Sequence, residues 1–212
     1  MTLSFLVLGL LSLWVLIMLL AVPCRPTHCN VTKRILFTKC TMENLRCVYL
    51  NTNAENIKCW PHPIPELDLK TPVSTEDKIQ KGVCGLRFIQ DALGLIYAHQ
   101  RDIHSINNDI FHKINTMEQE LFRSEKCVEG GLKEQCRNET KPDFNHDDMY
   151  SRLQWGRTII ESSIGFMEQL EDLVKHGQKL NFTLGSLLKH PPCRCKCIMK
   201  HKYDQLCSQD RH

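Results

Sequence analysis

Residues 147–176 read DDMYSRLQWGRTIIESSIGFMEQLEDLVKH, and their reading decides the fold. Met149, Leu153, Ile160, Ile164, Met167 and Val174 recur at steps of three, four or seven. At 100° per residue they share one helical face. Asn145, Asp147 and Asp148 supply caps and acidic charge at the start. Lys175 and His176 place cations in the last turn, and Gly177 follows as a stop. The stretch predicts one amphipathic helix about 45 Å long, against ~10–14 residues for an ordinary globular helix. Such a helix needs partners of similar length.

Three further stripes supply them. Val31, Ile35, Leu36, Met42, Leu45 and Tyr49 predict a helix over 31–50, with Cys40 and Cys47 on one face of it. Ser74-Thr75-Glu76-Asp77 is close to a capping box. It opens a second stripe of Ile79, Val83, Leu86, Ile89, Leu93 and Ile96. Gly82, Gly85 and Gly94 weaken that helix by about 1 kcal/mol each, in exchange for close packing. Ile103, Ile106, Ile110, Ile114, Met117 and Leu121 form the third stripe, which ends at Cys127 and Gly130-Gly131. The connections are 51–74, carrying Pro61, Pro63, Pro65 and Pro72, then the short 98–104, then 128–146. A short join makes antiparallel neighbours. A join longer than about nine extended residues spans ~30 Å and carries the chain the length of a bundle. The expected fold is all-α: an up-up-down-down four-helix bundle with two long crossover loops, braced by disulfides.

The 212 residues carry a formal charge of +3, so bulk charge demands no nucleic-acid partner. Phe5 to Val22 is apolar apart from Gly9 and Ser12. It is read as a signal peptide over 1–21, with an uncleaved membrane anchor as the other reading. Twelve cysteines follow: Cys24, Cys29, Cys40, Cys47, Cys59, Cys84, Cys127, Cys136, Cys193, Cys195, Cys197 and Cys207. In an exported chain they are disulfide candidates, and Cys59 is placed to pin the 51–74 loop. Asn30, Asn138 and Asn181 each open a glycosylation triplet. The expected organisation is a four-helical domain over 22–192 and a Cys-rich basic tail over 193–212. Lys196, Lys200, His201, Lys202 and Arg211 make that tail basic, either simply solvated or weakly binding sulfated glycans.

No nucleophile elbow, phosphate loop, dinucleotide fingerprint or zinc-protease motif occurs, and neither enzyme activity nor a cofactor is expected. His99, His104 and His112 with Asp102 and Asp109 spread over more than two helical turns, so solvated side chains are expected rather than a metal site. Cys193, Cys195, Cys197, His201 and Cys207 invite a zinc reading, but Cys-x-Cys spacing is tight for zinc and disulfides are preferred.

The chain resembles long-chain four-helix cytokines of the interleukin-6 and interleukin-12 alpha-subunit group. Cys84, Ile89, Ala92, Leu93 and Tyr97 in the second helix, Pro142-Asp143-Phe144 before the last, and Trp155 early within it carry the likeness. Interferons offer a second resemblance: Cys29 and Cys127 look like their first disulfide, and Cys59 sits where another interferon cysteine does. Interferons, however, place two helices where this chain has one long stretch. The resemblance implies a secreted cytokine domain over 22–192 that brings together cell-surface cytokine receptor chains to start immune signalling. An interleukin-12-type alpha subunit would add a soluble receptor-like beta subunit through a disulfide. Cys59 is the candidate for that interchain bond, with an internal bridge as its other reading. Trp155, with Trp60 and Arg157, is the candidate receptor contact; the competing reading puts Trp155 with Ile159, Phe166 and Leu173 on a core flank. An interferon or interleukin-10-like cytokine and a membrane-anchored structural protein are the alternatives.

Overall fold

Each helix starts where a short polar side chain satisfies a backbone N–H that the first turn leaves without a partner. Asn30 Oδ1 accepts from Lys33 N–H (2.9 Å) and opens α1, Val31–Asn53. Ser74 Oγ accepts from Asp77 N–H (3.1 Å) and opens α2, Thr75–Arg101. Asn108 Oδ1 accepts from Ile110 N–H (3.2 Å) at the head of α3, Asp109–Glu129. Asp148 Oδ2 accepts from Ser151 N–H (2.7 Å) at the head of α4, Met149–Asn181. A 3-10 turn, Pro65–Leu67, lies between α1 and α2. The computed structural model describes residues 29–53, 56–70, 74–106, 108–129, 136, 142, 144 and 147–181, with side chains through Lys175. Among the described residues there is no strand.

Two boundaries differ from the sequence reading. Ile103 and Ile106, expected on the third stripe, lie in the turn before α3, and Ile106 is 64 % exposed. Ile103 and His104 N–H both bond back to Gln100 O, closing the end of α2, and Asn108 then restarts the chain as a cap. At the other end, α4 runs past Gly177 to Asn181. A glycine inside a helix costs only about 1 kcal/mol, which does not force a stop.

The α1 helix packs on α3 and α4, and α2 packs on α3 and α4. Among the described residues α1 does not touch α2, and α3 does not touch α4. Lys39 meets Glu168 and Glu171, Arg46 meets Glu161, and Tyr49 Oη donates to Leu153 O (2.9 Å). Rising position in α1 thus matches falling position in α4. The same holds for α2 against α4, where Gly82 lies on Leu170 and Gly85 on Phe166. It holds too for α2 against α3, where Arg87 pairs with Glu125 and Tyr97 packs edge-on against Phe111.

The core contains the expected stripe residues Ile35, Met42, Leu45, Leu86, Ile89, Leu93, Ile96, Ile110, Ile114, Met117, Leu121, Ile160 and Met167. Ile159 and Phe166 are buried as well, so α4 buries a broad face. Met149, read as part of that face, is 54 % exposed because it is the first residue of the helix.

Cys29 bonds Cys127 and Cys84 bonds Cys136. The first closes a sequence separation of 98 residues, worth roughly 4–5 kcal/mol in the chain-entropy view. Cys40, Cys47 and Cys59 are also disulfide-bonded. The expected signal segment 1–21, Cys24, Asn138 and the tail 193–212 with its four cysteines lie outside the described residues. No described helix is long and apolar enough to cross a membrane.

The glycines of α2 divide by what faces them. A Cβ on Gly82 would lie 2.8 Å from Leu170 Cδ1, and one on Gly85 would run into the Phe166 ring. Gly94 faces open space. Gly85→Ala is expected to cost about 1–3 kcal/mol through overpacking, whereas Gly94→Ala should add about 0.5–1 kcal/mol. Urea unfolding of both variants measures the contrast.

Candidate functional site

One end of the bundle gathers the end of α2, the start of α4 and the 56–64 segment. Its centre is a run of rings. Phe144 stacks on Trp155 at 4.9 Å with 14° between planes, and Trp60 meets Phe144 edge-on at 5.0 Å. His62 lies outside Trp60 at 5.5 Å. His99, on α2, sets its ring edge-on to Phe144 and to Trp155 at 6.4 and 6.1 Å. Aromatic pairs in such geometries gain about 0.5–1.5 kcal/mol beyond area burial.

Backbone contacts lock the loop to α4. Trp60 N–H donates to Thr158 Oγ1 (2.6 Å), and Thr158 Oγ1 donates to Gln154 O. The Arg157 guanidinium donates to Ile57 O and lies 4.0 Å from Glu161. Gly156 leaves room for the Tyr49 hydroxyl, which a Cβ there would strike. Burial drives the Tyr49 phenol pKa well above its ordinary value.

The three residues expected to contact a receptor, Trp155, Trp60 and Arg157, are thus brought together, but not as an exposed patch. Trp155 is only 5 % exposed, its indole covered by Phe144. That is the position the core-flank reading gives it. Trp60 is partly buried and packs against the core from outside. Arg157 braces the loop rather than facing outward. Phe144 was legible only as part of a motif preceding the last helix; its role as a cover depends on where the 130–148 connection returns.

The same end carries an apolar surface that periodicity did not reveal. Ile106, Met149 and Tyr150 are 64 %, 54 % and 48 % exposed. Ile106 and Met149 were assigned to core stripes, and Tyr150 lies off every stripe. The Arg152–Asp102 pair (3.1 Å) ties the start of α4 to the residue after α2 beside them. Gln100 is fully buried, and neither atom of its amide has a partner.

The histidines read as solvated go separate ways. His99 packs against rings, His104 bonds Asn53 Oδ1 at 3.0 Å, and His112 is exposed. Among the described residues no group of three His, Cys, Asp or Glu is arranged around a metal-sized site. The His99 pKa is held below the ordinary histidine value by burial and by the Arg152 charge, with Asp102 opposing. Elsewhere, burial raises Glu118, the Lys126 hydrogen bond lowers Glu129, and the Glu171 hydrogen bond raises Lys175.

Comparison of the chain with protein-family models, with curated proteins and with solved structures finds no match.

Trp155→Ala is expected to cost about 3–5 kcal/mol, as for a buried aromatic, read as a lower urea midpoint with the loss of near-ultraviolet dichroism. Because the folded state disfavours the charged form of His99, its stabilising contribution is present above the unfolded pKa of about 6.5. It is lost as pH falls from there through the folded value. The melting temperature should drop between pH 7 and 5.5, above the carboxylate range, and His99→Phe should flatten that drop.

Proposed function

We propose that this protein is a secreted signalling ligand of the four-helix cytokine type, with its helices up-up-down-down and 54–74 and 130–148 as the two crossovers. The observation that carries the reading is the pairing pattern: among the described helices each of the first two packs on the last two, and position in α1 and α2 rises as position in α4 falls. Short connections throughout favour an up-down-up-down order, whereas long first and third connections suit two crossovers. The disulfides fit an oxidising compartment. Such a ligand acts without catalysis. It holds receptor chains together on different faces of a rigid bundle, and proximity is its output.

The bundle end with Ile106, Met149, Tyr150 and the outer edge of Trp60 is the proposed receptor-binding face. Exposed apolar groups there are rimmed by Arg152 and Asp102, the mixture that interface cores and rims share. Buried Trp155 stiffens this end from inside. The Cys29–Cys127 bridge favours a second reading, an interferon-like ligand, since that resemblance alone implied it. The unbroken span of α4 from Met149 to Asn181 speaks for the interleukin-6 and interleukin-12 alpha group.

The test is expression of the full chain in a eukaryotic secretory host, followed by N-terminal sequencing of the medium product and binding to receptor-bearing cells. A start near Val22 is expected. Met149→Glu with Tyr150→Glu should weaken cell binding at least tenfold, about 1.4 kcal/mol or more, with an unchanged melting temperature. A retained Met1 on a membrane-bound product, or undiminished binding by the double variant, overturns the reading. Non-reducing electrophoresis with co-expressed partners separates a monomer from a disulfide-linked heterodimer.

A further inference from the structure

Asn30 caps α1, and Phe37 lies seven residues further on within it, about two turns and 10 Å along the helix axis. Both are exposed, Phe37 by 55 %. Phe37 is a lone exposed aromatic, which a protein surface tolerates, and it is an apolar group that a chain attached at Asn30 can reach. Asn30 opens the triplet Asn30-Val31-Thr32. Its carboxamide is divided between two roles: Oδ1 accepts the Lys33 N–H (2.9 Å) and caps α1, and Nδ2 makes no hydrogen bond.

We propose that Asn30 carries an N-linked oligosaccharide that leaves the α1 cap intact and lies along the helix over Phe37. The proposal rests on the export reading above. In the transfer, a bond forms between Nδ2 and C1 of the first sugar of a lipid-pyrophosphate-linked oligosaccharide. The bond from C1 to the pyrophosphate oxygen breaks, the pyrophosphate leaves with the electron pair, and the amide loses one proton. The product is still an amide, and its Oδ1 still accepts from Lys33. Capping and glycosylation use different atoms of the same group and do not compete.

Cys29, the preceding residue, is no obstacle. Its partner Cys127 lies 98 residues further on. At about 5–20 residues per second of synthesis, Cys127 follows roughly 5–20 s later, so Asn30 reaches the transferase before the bridge closes. The glycan stands at the end where α1 begins and α3 finishes, held together by Cys29–Cys127. The apolar residues Ile106, Met149 and Tyr150 stand at the other end, one α1 length away or about 35 Å. The sugar screens one end of the ligand and leaves the proposed binding end open. Asn181, the last residue of α4, and Asn138 have no described side chain.

The experiment uses the secreted full chain, its Asn30 peptide analysed by mass, and the variants Asn30→Asp, Asn30→Ala and Asn30→Asp with Phe37→Ser. Asn30→Asp keeps an acceptor at the cap but removes the sugar; Asn30→Ala removes both. The expected results are a glycan mass on Asn30 and raised binding of a hydrophobic dye by Asn30→Asp. Phe37→Ser should reverse that dye binding, and the melting temperature of Asn30→Ala should fall below that of Asn30→Asp. An exported chain with Asn30 bare overturns this proposal alone. A glycan present with no gain of dye binding in Asn30→Asp overturns the cover over Phe37. A chain never exported overturns the export reading and this proposal with it.

Discussion

Four carboxylates govern how these helices associate. Glu120 and Glu125 of α3 and Glu161 and Glu171 of α4 are each nearly buried at a seam between helices. A charge in that position is tolerable only against a fixed opposite charge, and removing the partner typically costs about 3–5 kcal/mol. Each is met by a cation of an early helix, Arg34 for Glu120, Arg87 for Glu125, Arg46 for Glu161 and Lys39 for Glu171, beside a cation of its own helix, Arg123, Lys126, Arg157 and Lys175 in turn. Packing α3 directly on α4 would bring carboxylates together with only the cations of their own helices beside them. The charges thus favour pairings that join an early helix to a late one, by adding a second cation at each carboxylate. Arg152–Asp102 runs the other way, but it joins an exposed residue beyond α2 to α4 and carries no such constraint.

Close packing sets the depth of those pairings. α2 presents Gly82 and Gly85 to Leu170 and Phe166, and α4 presents Gly156 to Tyr49. Large side chains of one helix enter gaps left by glycines of another, which fixes the register of α4 against both early helices. The hydroxyl pair Thr38–Ser124 (2.6 Å), fully buried between α1 and α3, does the same by hydrogen bonding. With α4 held this way, its first turns stand at one end of the bundle. There Phe144 and the Trp60 segment close over Trp155. The aromatic run is a consequence of the seating of α4, and the exposed apolar residues around it stand on a rigid base.

That rigidity bears on the proposed activity. A ligand that signals by holding receptor chains together loses affinity to any freedom in its own surface. The disulfides at Cys29–Cys127 and Cys84–Cys136, the ion-paired seams and the stacked rings all restrict that freedom. His99 is the titratable group within the rings. Its half-buried position disfavours its charged form and makes this end of the molecule sensitive to mild acid.

The helices, their core faces and the α2 cap at Ser74 were legible because they depend on local periodicity and on hydrogen bonds between near neighbours. So was the value of glycine in α2, although Gly82 and Gly85 are packed and Gly94 is not. Periodicity cannot tell a stripe residue inside a helix from one at its edge, which is why Ile106 and Met149 fall on core stripes yet stand exposed. It does not report that Gly177 is carried within α4 either. Trp155 shows the limit most plainly. Its place on the flank of α4 follows from spacing, but its burial follows from Phe144, a residue of a different segment whose return path only the tertiary structure decides. The sequence by itself determined which surfaces must be covered. Which residue covers which, and so what remains exposed for a partner, depended on long-range packing among charges, glycines and rings far apart in the chain.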